Sequence, residues 1–113
     1  MTWKRIYLKE ALKDMKKLSG SEREQVIRVI KRVSTNPLPA NEGGYGKPLG
    51  NKNGNDLTGL LKIKLKKAGI RIVYTLVRTE IKMIVVVVGV RADNEVYETA
   101  GKRMGKYGLN RRG

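Results

Sequence analysis

A chain of 113 residues has room for one domain with a single core, not two. Its 40% hydrophobic and 31% charged residues exclude a disordered polymer. The 25 Lys and Arg against 10 Asp and Glu leave a net charge of +15, a self-repelling surplus that points to an anionic partner: nucleic acid, an acidic protein or an anionic membrane surface.

Residues 2–7 pattern as a short strand. Leu8, Ala11, Leu12, Met15 and Leu18 then recur at helical spacing and predict an amphipathic helix. Ser19-Gly20 stops it, and Ser21 with Glu24 predicts a capping box opening a second helix. Val26, Ile30 and Val33 form its apolar stripe, and Asn36-Pro37 ends it. So short a connection predicts a helical hairpin. Residues 36–56 hold all three prolines (Pro37, Pro39, Pro48) and the glycines Gly43, Gly44, Gly46, Gly50 and Gly54. They read as one long loop, and long loops are often functional.

Three strands follow: Leu57–Lys66, Ile70–Val77 after a turn at Gly69, and Ile81–Val90 after a turn near Thr79. Such short turns predict an antiparallel meander. The last strand is apolar nearly throughout, which predicts burial on both faces and a central position. Asp93 or Asn94 can cap a final short helix to about Arg103. Residues 1–104 form the expected single domain, and 105–113 a basic tail. The predicted class is α+β: a helical hairpin packed on a twisted antiparallel sheet, with a short C-terminal helix.

The apolar run Ile84–Val88 falls far short of the roughly 20 residues that span a bilayer, and Lys4, Arg5, Lys9 and Glu10 interrupt any leader pattern. No membrane partner is expected. The chain has no Cys, which removes thiol chemistry and fits a reducing cytoplasm. It also has no His, the commonest general acid–base and metal ligand. An enzyme built from this chain works with Lys, Arg, Tyr or carboxylates; no metal or cofactor is expected.

The strict alternation Leu61-Lys62-Ile63-Lys64-Leu65-Lys66 puts three lysines on one strand face and three apolar residues on the other. A simple register pairs Leu65 with Ile72, Ile63 with Tyr74 and Leu61 with Leu76, setting Lys66 against Arg71 and Lys64 against Val73. Lys62, Lys64 and Arg71 then crowd one side. A lysine-rich face is also an ordinary solvated face. Against that, no carboxylate occurs from Leu57 to Arg78, and a merely soluble face usually mixes signs. Such a cluster can bind a phosphodiester and act on it. A lysine serves as base once its pKa falls from about 10.4 toward 7–8, and neighbouring cations supply the repulsion. Arg clamps phosphate oxygens well.

Three linked motifs, Leu61-Lys62-Ile63-Lys64-Leu65, Gly69-Ile70-Arg71-Ile72-Val73-Tyr74 and Val88-Gly89-Val90-Arg91-Ala92-Asp93-Asn94-Glu95-Val96-Tyr97, resemble the RelE branch of the RelE/ParE toxins. The opening helix, Leu8-Lys9-Glu10-Ala11-Leu12-Lys13 to Lys16-Lys17-Leu18, also matches, and the resemblance spans about residues 3–104. It implies a fold similar to small microbial ribonucleases, and a toxin that cuts messenger RNA in the ribosomal A site through the 2′-hydroxyl. On this resemblance Lys64 is the general base, Arg91 the general acid, Lys62 and Arg71 the phosphate-holding cations, and Tyr97 the aromatic that stacks on or orients the base. Read without it, Arg91 could equally pair with Asp93 or Glu95, and Tyr97 could be a core residue; Tyr74 and Trp3 read as core. The implied partners are an acidic antitoxin, the ribosome with its RNA, and messenger RNA, the toxin being a monomer within a toxin–antitoxin complex. Exposed Lys13, Lys16, Lys17, Arg28, Lys31 and Arg32 would suit ribosomal RNA or simply solvent. The alternatives are a ParE-like inhibitor of DNA gyrase and an inactive RNA-binding protein of the same fold. The set Lys62, Lys64, Arg71, Arg91 and Tyr97, which the gyrase branch generally lacks, favours the nuclease.

Overall fold

Apolar–polar alternation becomes strand, and helical spacing becomes helix, along most of the chain. The computed structural model describes residues 2–52, 55–90 and 93–109. The order is β1 (Lys4–Tyr7), α1 (Lys9–Lys16), α2 (Gly20–Val33), β2 (Lys47–Lys52), β3 (Asn55–Leu65), β4 (Ile70–Val77), β5 (Lys82–Gly89) and α3 (Asp93–Lys106). The strands form one sheet in the order β1-β5-β4-β3-β2. β3 to β5 make the expected antiparallel meander, and β2 extends it by one strand. β1 pairs parallel with β5, so the sheet is mixed; a parallel neighbour needs a crossover rather than a hairpin. β5 is interior and buried along Met83–Val88, but the middle strand is β4.

The helices start and end where backbone groups find partners. The capping box lies at Ser19 and Glu22, not at Ser21 and Glu24: Glu22 N donates to Ser19 Oγ at 3.2 Å and Ser19 N to Glu22 Oε1 at 3.0 Å. Both pairs fit the spacing. The earlier one wins because Arg23 can then reach back to the end of α1, its Nε donating to Met15 O at 3.0 Å. Leu12, read as part of the apolar stripe, is exposed, whereas Ala11, Met15 and Leu18 are buried. α3 runs past Arg103 to Lys106, and Leu109 packs against the core beyond it. The expected cap at Asp93 or Asn94 rests on side chains outside the described residues.

Two departures reshape the sheet. The predicted loop of 36–56 contains an edge strand, β2, which tolerates Pro48 because an edge position leaves its missing N–H unneeded. The β3–β4 register is Leu65↔Ile70, Ile63↔Ile72 and Leu61↔Tyr74, two residues from the expected pairing. A slip of two keeps every side chain on its face, so the hydrophobic pattern does not choose between the registers. The turn chooses: Gly69, at φ 67°, closes it over Lys66–Gly69.

The segment between α2 and β2 is pinned to the sheet. Tyr74, fully buried as expected, donates its hydroxyl to Pro37 O at 2.8 Å, and burial pushes that phenol above its usual range. A Cβ at Gly46 would lie 2.3 Å from the same hydroxyl, and one at Gly44 would lie 2.0 Å from Leu38 O. Arg78 binds Glu42 through two hydrogen bonds of 2.8 Å, tying this segment to the β4–β5 turn.

Candidate functional site

The alternation of β3 places Lys62 and Lys64 on the face that carries α3. Cross-strand partners share a face, and the register sets Lys62 opposite Val73, Lys64 opposite Arg71, and Arg71 opposite Gly89. Lys64 and Arg71 are thus direct cross-strand neighbours, with Cα atoms about 5 Å apart. The sequence register had set Lys64 against Val73; the structure makes the cation cluster tighter. Arg71 also donates from NH1 to Gly69 O at 3.1 Å, across its own turn. Lys64 is exposed, and Lys62 and Arg71 are half-buried.

α3 closes one side of this cluster. Val96, Tyr97, Ala100 and Met104 form its buried stripe at helical spacing. A Cβ at Gly89 would come within 3.3 Å of Val96 Cγ2, so the missing side chain lets α3 sit close to β5. Tyr97 is 4% exposed, and its hydroxyl accepts a hydrogen bond from Lys62 Nζ at 2.9 Å. The ammonium lies 5.4 Å from the ring centroid, at the hydroxyl end of the ring. Tyr97 is therefore both a core residue and a partner of the site. Its ring is covered, and it orients Lys62. Among the described residues Lys62 meets a phenol rather than a carboxylate.

Arg91 lies outside the described residues. Lys62, Lys64, Arg71 and Tyr97 are brought together on one face. No group of His, Cys, Asp or Glu that could hold a metal occurs among the described residues.

Two features went unread in the sequence. Tyr45 and Lys47 join Lys62, Lys64 and Lys66 around a shallow cleft of about 430 Å³; Lys47 is the cross-strand partner of Lys62. Recognising Lys47-Pro48-Leu49 as an edge strand would have found them. The second is a clasp behind the site. Arg103 of α3 holds Asp14 of α1 through contacts of 2.7 and 3.2 Å, and the two side chains are 17% and 12% exposed. Arg103 also donates to Val86 O at 2.9 Å, while Val88 N donates to Asp14 at 3.1 Å. β1 ends at Tyr7 opposite Val85, and the register of β4 on β5 shifts just beyond. The pair thus satisfies the edge of β5 that β1 leaves uncovered.

No protein-family profile matches the chain. Individual relatives do. It is 31% identical over 99 residues to a RelE-like toxin protein of Escherichia coli, covering 87% of this chain and 93% of that one. It is 32% identical over 97 residues to the mRNA interferase toxin RelE of Escherichia coli, covering 83% and 88%. Among solved structures, a mutant E. coli RelE toxin in the free state superposes with a TM-score of 0.71 at 30% identity, over 92% of this chain and 99% of that one. The toxin in the intact E. coli RelBE toxin–antitoxin complex gives a TM-score of 0.61 at 26% identity, over 80% and 98%. Among the described residues no helix is long and apolar enough to cross a membrane. Matched along most of its length in both sequence and fold, the chain belongs to the RelE family of toxins.

Proposed function

We propose that the protein is the toxin of a type II toxin–antitoxin pair and an endoribonuclease that cuts messenger RNA in the ribosomal A site. The observation that carries the reading is the cation face: Lys62 fixed by Tyr97, beside the Lys64–Arg71 pair. In the reaction, Lys64 takes the proton of a 2′-hydroxyl, whose oxygen attacks the adjacent phosphorus. The P–O5′ bond breaks, and Arg91 protonates the leaving oxygen. Lys62 and Arg71 hold the non-bridging oxygens as negative charge builds, and Tyr97 positions Lys62. The step closes a 2′,3′-cyclic phosphate and frees a 5′-hydroxyl, so it needs no metal or histidine.

The charge of +15 supports two further partners. Exposed Lys13, Lys16, Lys17, Arg28, Lys31 and Arg32 offer phosphate contacts to ribosomal RNA. An acidic antitoxin is the inhibitor, steered in by the same field; the matched E. coli toxins in the RelBE complex and in the complex with a RelBc antitoxin peptide support such a partner. Ribosomes place the activity in the cytoplasm.

The test is 5′-end mapping on a messenger translated by purified ribosomes. Wild type is expected to cut within ribosome-occupied codons, and Lys64→Ala and Arg91→Ala to lose roughly 10²- to 10⁴-fold in rate. Absence of cuts by wild type together with blocked DNA supercoiling would place the protein with the gyrase inhibitors. Wild-type rates in both variants would remove the site assignment.

A further inference from the structure

The cleft beside the cation face has an unexplained aromatic. Tyr45 is 50% exposed, and its ring borders the cleft. The display is built in. Tyr45 N donates to Asn36 O at 3.1 Å, Gly46 N to Leu38 O at 3.1 Å, and Ala40 N to Gly46 O at 2.7 Å. Asn36 Nδ2 donates to Gly43 O at 3.1 Å. Gly44 and Gly46 sit too close to Leu38 and Tyr74 to carry any side chain. Tyr45 thus projects from a backbone held on both sides and cannot fold back into the core.

The surroundings state what the ring faces. β2 begins at Lys47 opposite Lys62, so β3 runs on past it from Ile63 to Leu65. The cleft fills that step, lined by Tyr45, Lys47, Lys62, Ile63, Lys64 and Lys66. It contains four lysines and one aromatic, and no carboxylate from the described residues. A cationic groove with an aromatic platform is the arrangement that holds single-stranded nucleic acid, because every base has a face to stack and every link a phosphate. Tyr97, the other aromatic of this region, is covered and bonded to Lys62.

We propose that Tyr45 and Lys47 form a nucleotide subsite for single-stranded RNA. The Tyr45 ring stacks on a base next to the cleaved linkage, and Lys47 takes its phosphate. The subsite rests on the nuclease reading for its substrate, and its rigid mounting lowers the ordering cost of binding. It selects which nucleotide flanks the cut by stacking strength, not by base-edge hydrogen bonds.

The test separates the subsite from the reaction. A fluorescently labelled, 2′-O-methylated RNA decamer cannot be cut, and its anisotropy with the full chain reads binding alone. Tyr45→Ala is expected to weaken binding roughly 5- to 100-fold, and Tyr45→Phe to preserve it. Tyr45→Leu, apolar but without a π-face, should behave as Tyr45→Ala. Lys47→Ala should lower the slope of log affinity against log salt by about 0.7. Wild-type anisotropy that stays flat, Tyr45→Ala on the wild-type curve, or Tyr45→Leu matching Tyr45→Phe each overturns the proposal. In the ribosome assay, wild type that cuts alongside a Tyr45→Ala that binds and cuts equally well removes the subsite and leaves the nuclease. Loss of RNA affinity in Tyr45→Ala, with no cutting by wild type, does the reverse.

Discussion

Near the start of α3, Lys62 donates to a phenol; near its end, Arg103 meets a carboxylate. Both contacts moor α3 to the rest of the chain, and both involve a half-buried cation. The carboxylate consumes the charge of Arg103, and the ion pair becomes a fastener. The phenol fixes Lys62 in place and leaves its charge available to phosphate. One helix is thus held by two devices, and only the neutral one lies on the proposed reacting face.

Lys62→Ala sharpens this contrast most. Losing one transition-state cation should cut the cleavage rate roughly 10²- to 10³-fold, at a stability cost of only about 1 kcal/mol for the single hydrogen bond lost; a cost near 3 kcal/mol would make Lys62 a fastener too. Asp14→Ala should do the opposite. It strands Arg103 and the Val88 N–H, and should cost about 3 kcal/mol in urea unfolding. The double variant Asp14→Leu with Arg103→Met should recover part of that, because no lone charge is left. A cost under about 1 kcal/mol would class the pair with surface bridges. Tyr97→Phe removes only the acceptor of Lys62: about 1 kcal/mol in stability, but about tenfold in kcat with KM unchanged, as a positioning residue requires. Equal, small losses in kcat and stability would reduce Tyr97 to packing.

The smallest effect concerns Glu10, which fastens the far end of α3. It accepts from Lys106 at 2.6 Å and from Tyr107 at 2.7 Å, and these bonds hold its carboxyl at about 2, below the ordinary 4.5. A depressed carboxyl stabilises the fold above its ordinary pKa and loses that contribution as pH falls through the folded value. The melting-temperature gap between wild type and Glu10→Gln should therefore be full at pH 6, shrink below about 4.5, and close near pH 2. A gap independent of pH would show that shape, not charge, makes the contact.

Local signals made much of this legible. The alternation around Lys62 and Lys64 gave both the strand and its charged face, and helical spacing gave the buried stripes of α1 and α2 apart from Leu12. What stayed hidden depends on choices between equal local patterns. Ser19 and Ser21 both precede a glutamate by three; the end of α1 decides between them. Two registers of β3 on β4 present the same faces; the Gly69 turn decides. β2 was masked by Pro48 and Gly50, which disfavour a strand except at an edge. Tyr45 stayed unread for the same reason, since its place beside Lys62 exists only once that edge strand forms. Asp14 and Arg103 are 89 residues apart, a separation no local pattern bridges.

The clasp has a last consequence in the crowded setting of a cell. Val85–Val88 is a β-branched, uncharged run, the kind of segment that recruits further strands into fibrils when its edge is bare. β1 protects it only as far as Val85, and the Asp14–Arg103 pair occupies the carbonyl of Val86 and the N–H of Val88. The segment most able to nucleate aggregation is thereby capped by two charged side chains, which reject an incoming strand.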